Sequence, residues 1–361
     1  MIHLPGLIDA HVHVREPGAT HKEDWESATR AALAGGFTQI LAMPNTQPPV
    51  CDAATLQWSL AQAQSKASVD YGQYLGAGES NSVEAASLAV WTAGLKLYLD
   101  QTYGPLRLAD ESDWAAHLRA WPYNKPLLVH AEGETLARFL ALLESLPRMA
   151  HICHVATRED ILALRQAKEA GLPVTCEVSA HHLFLCEDDL QHLPQGMREV
   201  RPRLATKADQ QALWDNLDVV DCFASDHAPH TLAEKMGENP PPGFPGLETS
   251  LPLFLTAVRQ ERLTLEDIIL RCYENPRRIF GLTAQAETWL EIDPQARWEI
   301  RAQDFYTRCG WTPFEGMPVQ GKITRVVLRG KTVFAEGRLL AVPGSGRGIF
   351  PSMPVLPENK Q

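Results

Sequence analysis

Histidine is the residue type whose placement in this chain points most directly to chemistry. Eight of the thirteen histidines fall into close pairs, at positions 11 and 13, 151 and 154, 181 and 182, and 227 and 230. The spacing of His11 and His13 places both imidazoles on one face of a strand. Neutral imidazoles are good zinc ligands, so this spacing is typical of part of a metal-binding site. Two hydrogen-bonded polar histidines without a metal would also explain the spacing.

Two further histidines and one aspartate stand at or just after the ends of mostly apolar runs. These residues are His130, His154 and Asp226. In a barrel of parallel strands, the carboxyl ends of the strands meet at one mouth, where function is usually located. The pattern therefore predicts a metal site at such a mouth, formed by His11, His13, His130, His154 and Asp226.

Lys96 lies in the apolar run of residues 94–98 and could project toward the same mouth. An ammonium group cannot ligate a cation and would repel one. A neutral amine, however, can take up CO2 to become a carbamate, which resembles a carboxylate and can bridge two metals. On the residue alone, an ordinary ion-pairing lysine is the better explanation of the position.

Alternating strand and helix patterns fill residues 6 to about 230. The predicted strands span residues 6–14, 37–43, 69–76, 95–99, 126–130, 151–155, 174–178 and 219–225. The predicted helices between them span residues 22–34, 53–67, 83–93, 110–120, 134–146 and 158–170, with helical pieces in 187–217. Eight alternations favour a closed (β/α)8 barrel over an open doubly wound sheet.

The remaining sequence predicts a small β appendage. Residues 322–328 and 332–335 are typical of a β-hairpin that turns at Arg329-Gly330. We expect a barrel over residues 6–300, a β subdomain formed by residues 1–5 and 301–345, and a tail over 346–361.

Composition excludes several classes of protein. Hydrophobic residues make up 45% of the 361 residues and charged residues 21%, values typical of a globular chain. The net charge of −11 disfavours a broad nucleic-acid-binding surface. No apolar run is long enough for a membrane span, and the first residues lack a secretory pattern. Seven cysteines without a C-x-x-C pair fit a reducing compartment, so we expect a cytoplasmic protein.

Several long motifs resemble those of dihydroorotases in the cyclic amidohydrolase superfamily. They are residues 6–18, residues 36–38 followed by 43–46, residues 224–230 and residues 245–248. The resemblance covers residues 4 to 340. The sequences of these motifs resemble most those of the dihydroorotase domains of multifunctional animal pyrimidine-synthesis proteins. Those proteins also carry carbamoyl-phosphate synthetase and aspartate transcarbamoylase domains. The short segment before Gly6 fits a domain of such a longer chain.

The resemblance implies a two-zinc centre. His11, His13 and Asp226 would hold one zinc, and His130 and His154 the other. Carboxylated Lys96 would bridge the two ions. The implied reaction is the reversible cyclisation of N-carbamoyl-L-aspartate to dihydroorotate and water, a step of UMP biosynthesis, with Asp226 transferring the proton.

The resemblance also assigns residues to the substrate. Arg15, Asn45 and His230 would bind its carboxylate, for which the planar guanidinium of arginine is well suited. Arg201 and the loop at Pro242 would contact the ring.

A loop carrying Thr102 and Tyr103 would close over the substrate. The nearest family form often has phenylalanine in place of Tyr103. A third zinc on His130, Cys153 and Glu177 is a further implication, against the alternative of a buried thiol and a hydrogen-bonded carboxylate.

Two alternatives stay open at this point. The chain could be another cyclic amidohydrolase, such as a dihydropyrimidinase, hydantoinase or allantoinase, whose substrates lack the same fixed carboxylate. It could also be a catalytically inactive scaffold of the same fold, a class that usually loses metal ligands or the lysine. The resemblance further implies a homodimer.

Overall fold

The structure is a computed structural model that describes residues 1–354, and residues 355–361 of the predicted tail lie outside the described residues. The strands are β1 (Ile2–Pro5), β2 (Leu7–Val12), β3 (Phe37–Ala42), β4 (Asp70–Gln73), β5 (Leu75–Gly76), β6 (Leu95–Tyr98), β7 (Leu127–His130), β8 (Ala150–Ile152), β9 (Val174–Ser179), β10 (Cys222–Ala224), β11 (Trp289–Glu299), β12 (Pro318–Leu328), β13 (Lys331–Ala335) and β14 (Arg338–Leu339). The α-helices are α1 (Trp25–Ala34), α2 (Ala53–Lys66), α3 (Ser82–Leu88), α4 (Glu111–Ala120), α5 (Gly133–Ser145), α6 (Arg158–Glu169), α7 (Ala180–Phe184), α8 (Lys207–Asp215), α9 (Leu232–Lys235), α10 (Leu247–Arg259), α11 (Leu265–Ile269) and α12 (Asn275–Phe280).

Strands β2 to β10 form the wall of a barrel, and the hydrogen-bonded neighbours in that wall are parallel. β4 and β5 are two parts of one barrel strand, separated at Tyr74, whose N–H donates to Ala42 O at 2.9 Å. The wall closes where Val12 and His227 form a parallel bridge, and where His13 N–H donates to His227 O at 2.8 Å. The predicted (β/α)8 barrel is therefore confirmed.

Polar side chains set where the barrel helices begin. The Asp24 carboxylate accepts a hydrogen bond from Ser27 N–H at 2.9 Å and caps α1. Because this cap satisfies a free N–H of the first turn, α1 begins at Trp25 and not at the predicted Lys22. Lys22 is thereby left in the loop that leads from the barrel mouth into α1.

Apolar side chains fill both sides of the barrel wall. Strands β2, β3, β6 and β7 are buried at every position, as expected for parallel strands covered by helices. A separate cluster that includes Ile8, Leu41, Leu128 and Cys222 packs below the mouth. This packed interior holds the strand ends, and hence the mouth residues, at fixed separations.

The β appendage is a five-stranded antiparallel sheet in the order β1-β11-β12-β13-β14. The predicted hairpin appears as β12 and β13, and β1 pairs with β11 so that Ile2 lies opposite Ile292. The eleven-residue strand β11 was not predicted. We propose that the barrel ends before Trp289, and not at residue 300, because β11 belongs entirely to this sheet.

The described part of the tail packs along β4. Tyr71 N–H donates to Arg347 O at 3.0 Å, and Ile349 N–H donates to Tyr71 O at 2.9 Å. No helix within residues 1–354 has the length and apolar character needed to cross a membrane.

Glu248 connects the barrel to the segment that precedes β12. Its carboxylate, in the first turn of α10, accepts hydrogen bonds from Tyr306 N–H at 2.9 Å and Thr307 N–H at 3.0 Å. Burial raises the pKa of this carboxyl group from 4.5 to about 8, despite the two hydrogen bonds. The folded state therefore favours the protonated form.

We expect this group to make stability depend on pH. Its folded pKa lies above its unfolded pKa, so its contribution is full below pH 4.5 and is lost as pH rises toward 8. The loss should be on the order of 3 kcal/mol in the free energy of unfolding. Urea unfolding between pH 5 and 8.5 should show a smaller decline in Glu248→Gln than in wild type. The exposed Glu84→Gln on α3 is the matched control, and equal slopes in all three proteins would contradict the prediction.

Candidate metal centre and anion pocket

Sharp backbone turns aim side chains into the barrel mouth. Arg15, His154 and Asp226 have φ values of 61°, 36° and 45°, in the left-handed region. This conformation is uncommon for residues other than glycine, and it concentrates at functional sites. Each of these residues follows a barrel strand, so the turns redirect the chain at the carboxyl end of the wall.

His11, His13 and Asp226, the first group of candidate ligands, lie close together at the mouth. Asp226 Oδ1 lies 3.3 Å from His11 Nε2 and 3.4 Å from His13 Nε2. The other nitrogen of His13, Nδ1, lies 2.7 Å from Asn45 Oδ1. Because an amide oxygen only accepts, His13 Nδ1 carries the proton and Nε2 keeps a free lone pair toward Asp226.

The second group lies across the mouth. His130 Nδ1 and His154 Nε2 are 2.9 Å apart, and the His154 ring lies 5.2 Å from the His11 ring. His154 Nδ1 is buried without a hydrogen-bond partner. Burial lowers the pKa values of His11, His13 and His154, so these imidazoles are neutral, which is the form that binds metals. The donor set therefore fits zinc.

Lys96 is fully buried between the two groups. Its Nζ donates to Cys153 Sγ at 2.9 Å and lies 5.0 Å from the centre of the Tyr98 ring. No carboxylate among the described residues forms an ion pair with it. Burial raises the pKa of Cys153 to about 12, so the thiol is neutral and does not balance the lysine charge.

Glu177 and Cys153 join His11, and not His130 as predicted. Glu177 Oε1 lies 2.5 Å from His11 Nδ1, and Oε2 lies 3.1 Å from His151 Nε2. Donor atoms of His11, Cys153 and Glu177 lie within 4.8 Å of one another, whereas the combination with His130 does not meet that limit. Cys153 and Glu177 are thus grouped with His11, because the ring of His11 presents one nitrogen to Asp226 and the other to Glu177.

Burial and hydrogen bonding oppose each other at Glu177. Burial would raise the pKa of this carboxyl group, but electrostatic attraction and hydrogen bonds from His11 and His151 outweigh burial and hold the pKa well below its usual range. His151 is therefore a support for Glu177 and not only a neighbour of His154.

Two supporting residues were missed in the sequence. Asp9 accepts from His11 N–H at 3.0 Å and from Ser225 N–H at 3.2 Å, which joins β2 to the segment before Asp226. Burial raises the pKa of Asp9 to about 7. His181 Nε2 is buried without a hydrogen-bond partner and lies 4.0 Å from Asp226 Oδ2. The i, i+2 spacing of Asp9 and His11 was the signal available for Asp9, and the pair at 181 and 182 was the signal available for His181.

A positively charged pocket adjoins the donor cluster. Arg15 Nη2 lies 3.0 Å from His230 Nε2, and Arg15 Nη1 is buried without a hydrogen-bond partner. Burial lowers the pKa of Arg15 to about 10, so the guanidinium keeps its charge at neutral pH. Asn45 Nδ2 donates to Tyr103 O at 3.0 Å. The three residues assigned to a carboxylate thus lie together.

Lys22 is a further residue of this pocket that the sequence did not reveal. Its Nζ lies 3.1 Å from His230 Nδ1 and 3.1 Å from Glu234 Oε1, and donates to Tyr103 Oη at 3.2 Å. These partners lie far from it in sequence, so no local pattern could have indicated the role.

The predicted ring-binding residues and the loop complete the cavity. It is lined by His11, His13, Arg15, Asn45, Tyr98, Thr102, Tyr103, His130, His154, Arg201, Asp226, Ala228, Pro242 and Gly243. Lys235 links the segment at Glu199 to the loop at residues 241–243. Its buried Nζ donates to Glu199 O, Pro241 O and Gly243 O at 2.8, 2.9 and 3.2 Å.

Solved structures with the same fold include two that differ in function. The chain superposes on an L-hydantoinase (dihydropyrimidinase) from Arthrobacter aurescens with a TM-score of 0.91 and 24% identity, over 97% of this chain and 89% of that one. It superposes on the inactive dihydroorotase-like domain of a CAD-like multifunctional protein from Chaetomium thermophilum with a TM-score of 0.83 and 28% identity, over 96% and 99%. The first likeness, at 24% identity, establishes the fold and nothing further.

Sequence comparisons identify the family. A model described as dihydro-orotase-like matches residues 1–103. The multifunctional protein pyr1-3 of Dictyostelium discoideum is 50% identical over 350 residues, 97% of this chain, but the chain spans only 16% of its length. A dihydroorotase from Pyrococcus furiosus is 35% identical over 359 residues, which cover 95% of this chain and 84% of that protein. On this evidence the chain belongs to the dihydroorotase family of cyclic amidohydrolases.

Proposed function

We propose that this chain catalyses the reversible cyclisation of N-carbamoyl-L-aspartate to (S)-dihydroorotate and water in pyrimidine biosynthesis. The observation that carries the proposal is the adjacency of two different sites in one cavity. A cluster of neutral imidazoles lies beside a pocket in which buried Arg15 has a free Nη1. Dihydroorotate needs both, since it has an amide to be opened and a carboxylate that does not react.

The metal ligands form two sets joined by Lys96. His11, His13 and Asp226 would hold one zinc, and His130 and His154 the other. Bound there, two zinc ions would lower the pKa of a water molecule and polarise the reacting carbonyl. A third zinc on His11, Cys153 and Glu177, whose donor atoms lie within 4.8 Å of one another, would require His11, which also belongs to the first set, to release its Nδ1 proton.

Lys96 is well placed to become a carbamate. A buried ammonium without a carboxylate partner is costly, and it lies among residues that would bind cations. The ammonium group first loses one proton. The neutral amine then attacks CO2, a C–N bond forms as one C–O π bond breaks, and a second proton is released, so the side chain changes overall from a cation to an anion. The product can then bridge the two ligand sets.

Asp226 is the residue best placed to move the proton. Its Oδ1 faces His11 and His13, whereas Oδ2 lies 4.0 Å from the nearest imidazole nitrogen, that of His181. Burial raises the pKa of Asp226, which favours proton uptake. In ring opening it would take a proton from the attacking water and deliver it to the leaving amide nitrogen as the ring C–N bond breaks.

The residues that would orient the substrate lie on the opposite side of the cavity. Arg15, Asn45 and His230 would bind the carboxylate, and Arg201 and Pro242 would contact the ring edge. Thr102 and Tyr103 would cover the substrate and exclude water during reaction.

The assembly and the cellular location of the chain are also proposed. The relatives include domains of multifunctional proteins and separate dihydroorotases, so this chain could act in either arrangement. We propose a homodimer in the cytoplasm. All seven cysteines are free thiols, which supports a reducing compartment.

The first experiment is a substrate comparison. Purified protein with zinc is assayed with dihydroorotate and carbamoyl aspartate, and in parallel with dihydrouracil, hydantoin and allantoin. We expect turnover of the first two only, because the others leave Arg15 without a carboxylate partner. Preference for one of the last three would identify a different cyclic amidohydrolase, and no turnover of any would favour an inactive scaffold.

Replacing the bridging residue should abolish the reaction. Lys96→Ala should lower kcat for ring closure by at least about 100-fold, since metal-ion stabilisation of the transition state amounts to several kcal/mol. Lys168→Ala is the matched control, because that lysine pairs with Asp221 on the outside of the barrel. Normal ring closure in Lys96→Ala would refute a bridging role.

Metal content should follow the two ligand sets. Chelation with dipicolinate should abolish ring closure, and added zinc should restore it. Metal analysis should find fewer zinc ions per chain in His154→Ala than in wild type, whereas the exposed His192→Ala should match wild type. Full activity and unchanged zinc in His154→Ala would argue against the second set.

A further inference from the structure

Lys22 is a buried ammonium group directly behind the pocket assigned to the substrate carboxylate. Only 4% of the residue is exposed. Its three N–H donors match three acceptors, namely His230 Nδ1 at 3.1 Å, Glu234 Oε1 at 3.1 Å and Tyr103 Oη at 3.2 Å. A fully paired lysine holds its partners in fixed positions. One of them, Tyr103, lines the cavity, and another, His230, contacts Arg15 of that lining.

The contact with Lys22 determines which nitrogen of His230 carries the proton. An ammonium group only donates, so Nδ1 must accept. His230 Nε2 lies 3.0 Å from Pro242 O, which only accepts, so Nε2 carries the proton. Burial, Arg15 and Lys22 together keep the pKa of His230 far below its usual value, so the ring stays neutral.

This tautomer makes His230 a donor beside Arg15. Arg15 Nη2 lies 3.0 Å from His230 Nε2, and two donors cannot bond to each other. The His230 Nε2–H is directed at Pro242 O, so Arg15 Nη2 is left without an acceptor, and Arg15 Nη1 lacks a partner as well. A carboxylate would accept from both of these guanidinium nitrogens.

Tyr103 connects the same lysine to the loop above the pocket. Its hydroxyl accepts from Lys22, and its backbone carbonyl accepts from Asn45 Nδ2 at 3.0 Å. Its ring lies 4.7 Å from Lys22 Nζ and 5.2 Å from the Arg15 guanidinium carbon. The loop is thus tied to each residue assigned to the carboxylate.

We propose that Lys22 is a positioning residue that couples His230 and Tyr103 into one carboxylate-binding unit. It fixes His230 as an Nε2–H donor, and through the Tyr103 hydroxyl it holds the loop over that donor. The inference rests on the proposed dihydroorotase activity. A phenylalanine at position 103 would keep the ring contacts with both cations but lose the hydrogen bond to Lys22.

The test compares Lys22→Met, Tyr103→Phe and the double variant, with Lys168→Met as the control for loss of a paired lysine elsewhere. We expect Lys22→Met to raise KM for dihydroorotate about 10- to 100-fold, and Tyr103→Phe about threefold to tenfold. kcat should change less than threefold and zinc content should not change. The double variant should resemble Lys22→Met, because both changes remove the same hydrogen bond.

Two further outcomes are decisive. A wild-type protein without activity on dihydroorotate refutes the proposed function and this inference together. An active wild type with unchanged KM in Tyr103→Phe, additive effects in the double variant, or a kcat loss without a KM change would overturn the inference alone. Tyr103→Phe removes a single hydroxyl from a partly exposed loop residue, so it tests the coupling even if Lys22→Met does not fold.

Discussion

The structure depends on the cost of burying polar atoms that the protein itself leaves unpaired. His154 Nδ1, His181 Nε2 and Arg15 Nη1 all lie at the barrel mouth without hydrogen-bond partners. Each such group costs about 1–3 kcal/mol when buried. The fold tolerates this cost because the packed barrel interior is large, and bound metal and substrate would remove it. Ligand binding and folding stability are therefore linked in this chain.

The mouth separates two electrostatic tasks that would conflict if they overlapped. Burial keeps the imidazoles on one side neutral, and so able to bind cations, whereas Arg15 and Lys22 keep the other side positive. Asn45 stands between the two sides, accepting from His13 and donating to Tyr103. A neutral amide suits this position, since it can join the two halves without adding charge to either. The net charge of the whole chain is negative, so the cationic half is a local feature.

Most of the barrel and of the donor cluster could be predicted because both follow from short patterns. Apolar runs mark the strands, and polar residues at the ends of those runs must meet at the mouth. β11 was not predicted because the alternation of buried apolar residues that begins at Leu290 and Ile292 is interrupted by a register shift between Asp293 and Arg297. The grouping of Cys153 and Glu177 with His11 was not predicted, for a different reason. Sequence spacing does not indicate which imidazole nitrogen faces which strand across a barrel, and so could not separate His11 from His130.

Lys22 shows where sequence reasoning reaches its limit. The pattern of residues 22–34 favours a helix, and on that basis Lys22 is an ordinary residue of a first turn. The Asp24 cap moves the helix start to Trp25, which leaves Lys22 in a loop whose direction is set by the barrel closure. Its partners Tyr103 and His230 lie 81 and 208 residues away along the chain. A role defined only by such distant contacts is visible once the barrel has brought the loops together, and a single capping hydrogen bond is what makes the lysine available for it.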